Sequence, residues 1–333
     1  MTAITAEQLE SLFQEVERTE VSGQGSVRRR LLPELSVDVF VEVRLPERDR
    51  ALVVESQERL GDRELLLATG LTCRAREGHV EVVARPATDS GMFCSLLADL
   101  VEHLCTAVAD PAAALVNRLG SWQRMLSRGM QAGLTAEQRL GLFGELLFLL
   151  DFVLPVLGTH GLVTWLGPTG AEQDFASDTW AVEVKTVSVR NSSSCRISSE
   201  HQLDVIHGRQ LVLVHQSLRT DPDGMTLGEL VDGVRHEPAV PGDPALLENR
   251  LLEAGWLDGH RQQYDLERYT LTMRRCFMVN EGFPRITGAL VPTGVHTVSY
   301  QVDLDACGAY QVDESLVRAF LAARPGGGDE ASG

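Results

Sequence analysis

A carboxylate stranded in an apolar helix constrains this chain more than any other feature. Thr135-Ala136-Glu137-Gln138 has the capping-box pattern that opens a helix, and Leu140 to Leu150 continues it with Glu145 as the lone charge. A carboxylate there is costly to bury unless it is paired, hydrogen-bonded or near a metal, so the fold has to bring it a partner. The partners follow in sequence. Residues Trp180 to Val187 are rich in β-branched side chains and predict a strand with Val182, Val184 and Thr186 on one face and Ala181, Glu183 and Lys185 on the other. Upstream, Glu172-Gln173-Asp174-Phe175 runs into the turn-like Ala176-Ser177-Asp178-Thr179, which predicts a hairpin. With Ser177-Asp178 at the turn centre, Asp174 pairs with Ala181 and lies diagonal to Glu183, about 7–8 Å away at Cα, so both carboxylates reach one cation.

The base in this group stands apart from every other cation in the protein. Of 30 Lys and Arg residues, 29 are Arg, and Lys185 is the only lysine. Arginine is a planar, permanently charged fork, whereas lysine is a compact point charge that approaches a phosphate or a water and shifts its pKa. Position 185 therefore reads as chemical.

Glu145 on a helix, then Asp174, then Glu183-x-Lys185 on a strand resembles the PD-(D/E)XK nuclease superfamily, with Gln173 where the literal motif has proline. More narrowly, Gly144-Glu145, Trp165-Leu166-Gly167-Pro168, Asp174-Phe175, Glu183-Val184-Lys185-Thr186 and Ile197 to Leu203 resemble a PD-(D/E)XK family of bacterial defence and restriction loci. The strong motifs cover roughly residues 135–215. The resemblance implies an α/β fold: a restriction-endonuclease-like core, a mixed β-sheet flanked by helices, with an N-terminal α/β domain and C-terminal additions.

It also implies metal-assisted phosphodiester hydrolysis. Mg²⁺ takes one or two carboxylates, a carbonyl, a phosphate oxygen and waters; Mn²⁺ substitutes for it in such sites. Asp174 and Glu183 would supply the carboxylates and the Val184 carbonyl a backbone ligand, with Glu145 holding a second metal or an outer water. The cation polarises the phosphate and lowers the pKa of its water, while Lys185 orients that water and stabilises developing charge. Gln202 has two readings. Ser199-x-x-Gln202 is itself a capping box that would tidy a helix start, and related nucleases carry a Gln facing the site from the helix after the Lys strand.

Charge speaks against simple nucleic-acid affinity. With 47 Asp and Glu against 30 Lys and Arg the net charge is −17, and phosphate binding rewards clustered cations. A local basic groove is compatible with that total. Its candidates are Arg28-Arg29-Arg30, the helical set Arg118, Arg124 and Arg128, then Arg190 and Arg196 beside the motif, and Arg274-Arg275. The six cysteines have no metal-ligand or Cys-x-x-Cys spacing and read as reduced. Met1 to Phe13 lacks the basic start and apolar core of a secretory signal. Leu146 to Leu157, broken by Asp151 and Pro155, falls short of the roughly 18–20 residues of a membrane span. A cytoplasmic protein with no membrane partner is expected.

Along the chain, residues 1–109 read as an N-terminal α/β scaffold or docking domain, 110–220 as the nuclease core, 221–324 as its C-terminal extension and 325–333 as a disordered Gly-rich tail. Thr5 to Glu17 predicts a helix; Ser36 to Arg44, Ala51 to Glu55, Glu64 to Arg76 and His79 to Arg85 predict strands; Asp110-Pro111 opens a further helix. No P-loop is present, and with a single lysine at 185 none can be, so ATP-driven translocation would come from another chain.

Three functions remain open on these grounds. The first is a Mg²⁺-dependent DNA endonuclease of restriction or anti-phage defence, working beside a helicase-like ATPase and a methyltransferase and cutting both strands as a homodimer or in two steps. The second is a catalytically idle subunit of the same fold that scaffolds a defence complex. The third is an RNase or structure-specific repair nuclease.

Overall fold

Valines at every second position from Val37 to Val43 decide the first layer, because a period-2 apolar pattern leaves a strand one face to bury. A computed structural model describes residues 4–19, 24–35, 37–56, 61–106, 111–127, 133–189, 193–204, 209–240 and 244–323. The chain divides into two compact units, residues 1–133 with 255–261 and residues 134–254 with 262–333. Asp110, Arg128, Arg190 and the 325–333 tail lie outside the described residues.

The first unit starts with helix α1 (Ala6–Glu17), capped by the reciprocal Thr5 and Gln8 hydrogen bonds. Six strands follow: β1 (Gly25–Leu31), β2 (Asp38–Leu45), β3 (Asp49–Glu55), β4 (Arg63–Ala68), β5 (Leu71–Arg76) and β6 (His79–Ala84). They form one antiparallel sheet in the order β1-β2-β3-β6-β5-β4. Helices α2 (Ser90–Thr106) and α3 (Pro111–Ser127) complete the unit. α1 packs on β2 and α2, and α3 packs on α2, β4 and β6. Val39, Val41 and Val43 are buried, as are Phe13 and Phe93, whose rings meet at 5.8 Å.

Two readings change. The single strand expected over 64–76 is a hairpin, β4 and β5, broken at Gly70 with φ of 79°, a conformation glycine adopts without strain. The boundary between compact units falls at 133/134 instead of 109/110, because α3 buries Leu115, Leu119, Trp122 and Met125 within the first unit.

The second unit opens on α4 (Ala136–Phe148), which continues through a π turn (Leu149–Val153), α5 (Leu154–Leu157), a 3-10 turn and α6 (Gly161–Thr164). The apolar helical run 136–164 is thus longer than the sequence segment Leu146–Leu157, and by length and composition alone it could cross a membrane. Part of it faces the interior of the unit, where Leu142, Leu146, Phe148, Phe152 and Val153 are buried, while Val163 is exposed. Strands β7 (Phe175–Ala176), β8 (Trp180–Ser188), β9 (Ser194–Ile197) and β10 (Gln210–Thr226) follow, then helices α7 (Leu227–His236), α8 (Pro244–Glu253) and the single turn α9 (Arg261–Tyr264). β11 (Arg268–Met278), β12 (Tyr300–Asp303), β13 (Gln311–Val312) and α10 (Glu314–Ala322) end the described chain.

The main sheet has the order β13-β11-β10-β8-β7 and is mixed: β8 and β10 run parallel while the other pairs are antiparallel. Helices flank it, as a restriction-endonuclease-like α/β core requires. α4 presses on β8 where Gly144 meets Thr186; a Cβ at 144 would stand 1.7 Å from the Thr186 Oγ1. On the opposite face, Ala181, Leu211, Leu213 and Phe277 form a core with Cys195 and Ile197 of β9, Val302 of β12 and Leu203. β9 and β12 pair as a separate two-stranded ribbon.

Candidate active site

β7 is only two residues long, and that brevity makes the site. Beyond Phe175 paired with Val182, the outer edge of β8 has no ladder partner among the described residues. Ser177 N donates to the Trp180 carbonyl and Phe175 pairs with Val182, and backbone groups alternate edges along a strand. The N–H and C=O of Val184 therefore point to this free edge. The Asp174 side chain takes the N–H: Val184 N donates to Asp174 Oδ2 at 2.7 Å. The Val184 carbonyl beside it is left to other partners.

This corrects the expected register. Ala176 pairs with Ala181, which carries Asp174 opposite Glu183 instead of diagonal to it. The turn centre is Asp178-Thr179, one residue later than expected, because Ser177 Oγ accepts from the amides of Thr179 and Trp180 and caps the turn.

The cluster is built from four elements. Glu183 is 1% exposed, and its Oε1 pairs with Lys185 Nζ at 2.8 Å while its Oε2 is buried with no hydrogen-bond partner among the described residues. Lys185 Nζ also donates to Gln202 Oε1 at 3.1 Å. Glu145, reaching over from α4, accepts at Oε2 from the indole N–H of buried Trp165 at 2.8 Å. Glu145 and Asp174 keep part of their surface open to solvent. The segment after α6 joins these two: Leu166 and Gly167 amides both donate to the Asp174 carbonyl, at 2.8 and 2.9 Å, and a Cβ on Gly167 would stand 2.9 Å from both Glu145 Oε2 and Asp174 Oδ1. All five predicted side chains, Glu145, Asp174, Glu183, Lys185 and Gln202, thus belong to one cluster.

Gln202 reaches Lys185, but from a turn instead of a helix. Among the described residues, 199–204 form successive turns and no helix, and Gln202 Oε1 accepts from Ser198 N at 2.8 Å as well as from Lys185. The Ser199 hydroxyl accepts from His201 N, so the capping box is not made. Buried Gln173 fixes this turn by donating to the His201 carbonyl at 2.9 Å.

Electrostatically the site is short of positive charge. Burial, then the Asp174 charge, raise Glu183 to about 8 against the pull of Lys185. Burial and Asp174 push Glu145 well above the usual carboxylate range, and burial raises Asp174 despite Lys185 and the Val184 N–H. Burial lowers Lys185, but Glu183 and Asp174 outweigh it and leave the ammonium held above its ordinary value. One cation faces three carboxylates. An all-oxygen donor set with an orphaned buried carboxylate oxygen fits a hard divalent cation. Among the described residues no three His, Cys, Asp or Glu side chains stand ready-made as a metal cage; Mg²⁺, which keeps several waters and uses one or two carboxylates, does not need one.

Sequence reasoning missed the supporting residues Trp165, Gly167 and Gln173. The first two lie in the Trp165-Leu166-Gly167-Pro168 motif, whose appearance in the resemblance was the available signal. The proposed basic groove is largely spent on internal ion pairs: Arg28 with Glu55, Arg29 with Glu15, Arg30 with Asp38, Arg118 with Asp99, Arg274 with Asp151 and Arg275 with Asp305.

Over residues 9–305 the chain matches the model of a family described as "Putative PD-(D/E)XK family member, (DUF4420)". No curated protein and no solved structure matches it. A match across most of the chain, with the acids and the lysine of that motif gathered at one sheet edge, places the protein in this nuclease-like PD-(D/E)XK family.

Proposed function

We propose that the protein is a divalent-metal-dependent endonuclease that hydrolyses phosphodiester bonds of DNA, with Mg²⁺ as its metal, in a bacterial restriction or anti-phage defence system. The observation that carries this reading is the cluster itself: Asp174 and Glu183 opposite one another, Glu145 beside them, and the chain's only lysine paired to Glu183. Asp174, Glu183 and the Val184 carbonyl would hold the metal, with Glu145 at a second position. When bound, the metal supplies Lewis-acid polarisation of the phosphate and a water of lowered pKa. Lys185 holds its proton at Nζ, faces the reacting phosphate and stabilises charge that develops on it. Gln202 Oε1 orients that ammonium, and Trp165 Nε1 fixes the Glu145 carboxylate. The defence setting follows from the family resemblance, and partner proteins with ATPase and methyltransferase activity go with it.

A catalytically idle scaffold is the second reading, favoured by the net charge of −17 and by arginines already paired within the chain. Calorimetric titration with Mn²⁺ separates the two. The nuclease reading expects binding by the wild type and at least a tenfold loss of affinity in Asp174→Ala; a folded wild type that takes up no metal contradicts it.

A further inference from the structure

Most arginines of the second unit are neutralised at home. Arg139, Arg219, Arg235, Arg250, Arg268, Arg274 and Arg275 all pair with carboxylates. Among its described residues, Arg196, Arg209, Arg285 and Arg318 make no such pair. Arg318 sits on α10, tied to the Asp151 carbonyl and over the Phe152 ring. Two of the others, Arg196 and Arg285, border the turn that presents Gln202 to Lys185.

Their placement follows from the chain path. β9 runs directly into the turn, and Arg196, exposed on its outer face, lies opposite exposed Gln301 of β12 and donates to Ser299 Oγ at 3.3 Å. Arg285 donates to the Leu203 carbonyl at 2.7 Å, next to Gln202 itself. Tyr300 of β12 donates its hydroxyl proton to the Ile286 carbonyl, which ties the Arg285 segment to the ribbon. From Gly282 to Val302 the chain contains no Asp or Glu, although it averages 47 in 333 residues. That segment instead offers exposed Thr293, His296, Thr297, Ser299 and Gln301. Of the two acids within the turn, Glu200 lies 3.5 Å from His201 Nε2 and Asp204 accepts from Gly288 N. The irregular stretch from 279 to 299 is also far longer than an ordinary connection, and long loops of this kind in compact units are usually binding loops.

We propose that the outer face of the β9–β12 ribbon, with Arg196 at its centre and Arg285 at its flank, binds the sugar-phosphate backbone of the nucleic acid whose phosphodiester enters the carboxylate–lysine cluster. The inference rests on the nuclease reading and names the surface that carries its substrate. Exposed cations, hydroxyls and amides are the chemistry that positions a polyphosphate without reading its bases, and the ribbon's own strands carry one carboxylate, Asp303 at the end of β12, which accepts from Asp305 N.

The test is anisotropy titration of labelled duplex DNA, and of RNA of the same sequence, with the full-length protein and Ca²⁺ as the metal. Wild type is compared with Arg196→Glu, Arg196→Ala and Arg76→Glu. Arg76→Glu is the control, since it makes the same net charge change at an exposed arginine of the first unit. The surface predicts that Arg196→Glu weakens binding about tenfold, that Arg196→Ala lowers the slope of log affinity against log salt by about 1, and that Arg76→Glu changes neither. Equal effects of Arg196→Glu and Arg76→Glu, or no binding by a wild type whose melting is intact, overturn the proposal. Metal-dependent cleavage that persists with unchanged affinity in Arg196→Glu rejects the surface alone. Arg196-dependent binding by a wild type that never cleaves supports the surface and rejects the nuclease reading.

Discussion

Gly167 shows at the scale of one residue how the site is kept open. Its missing side chain leaves the space between Glu145 Oε2 and Asp174 Oδ1, while its amide anchors the Asp174 carbonyl. Gly167→Ala puts a methyl 2.9 Å from both oxygens, closer than real Cβ atoms come, so one carboxylate must swing away. We expect a Gly167→Ala protein that melts within a few degrees of wild type yet binds Mn²⁺ at least tenfold more weakly by calorimetry. Unchanged affinity would mean that Glu145 and Asp174 do not share a ligand. Residue identities were legible in the sequence, because a lone glutamate in an apolar helix and a lone lysine on a strand are anomalies visible without coordinates. Trp165, Gly167 and Gln173 were not, since their roles depend on contacts with residues 20, 7 and 28 positions away, respectively, that no local periodicity encodes.

Elements place these residues, and α4 on β8 is the pairing that matters most. The buried Gln216 side chain donates to the Gly144 carbonyl at 2.9 Å, and Gly144 lets the helix backbone lie directly against Thr186. Overpacking at such a contact costs about 1–3 kcal/mol. Gly144→Ala should therefore lower the melting temperature by several degrees and, by lifting Glu145 off the sheet edge, also weaken metal binding. A variant as stable as wild type would show that the helix can ride outward freely. Helices and strands with clean patterns were readable: Thr135 forms the capping box that its sequence spells out, the helix expected from Thr5 is α1, and the alternating valines of β2 are buried. The hairpin register was not, because a serine hydroxyl moved the turn centre by one residue and a turn is decided by a few hydrogen bonds. The helix expected after Ser199 failed for a related reason: Gln202 is drawn to Lys185 and Ser198 instead of capping.

Across the whole molecule, charge distribution separates what the sequence says from what the fold does. A total of −17 and several arginine clusters were in view from the start, but which arginines stay available is a tertiary outcome: Arg28, Arg29 and Arg30 face carboxylates of the first unit, whereas Arg196 faces a serine. In the second unit most arginines are paired, and of the described ones that are not, Arg196 and Arg285 stand beside the turn that carries Gln202. The most direct test of the central claim is cleavage of plasmid and phage DNA, with and without Mg²⁺ or Mn²⁺, by wild type, Asp174→Ala and Lys185→Ala. Metal-dependent nicking by wild type that falls at least a hundredfold in both variants is the expected result. Cleavage that needs no metal, or that survives in either variant, would contradict it.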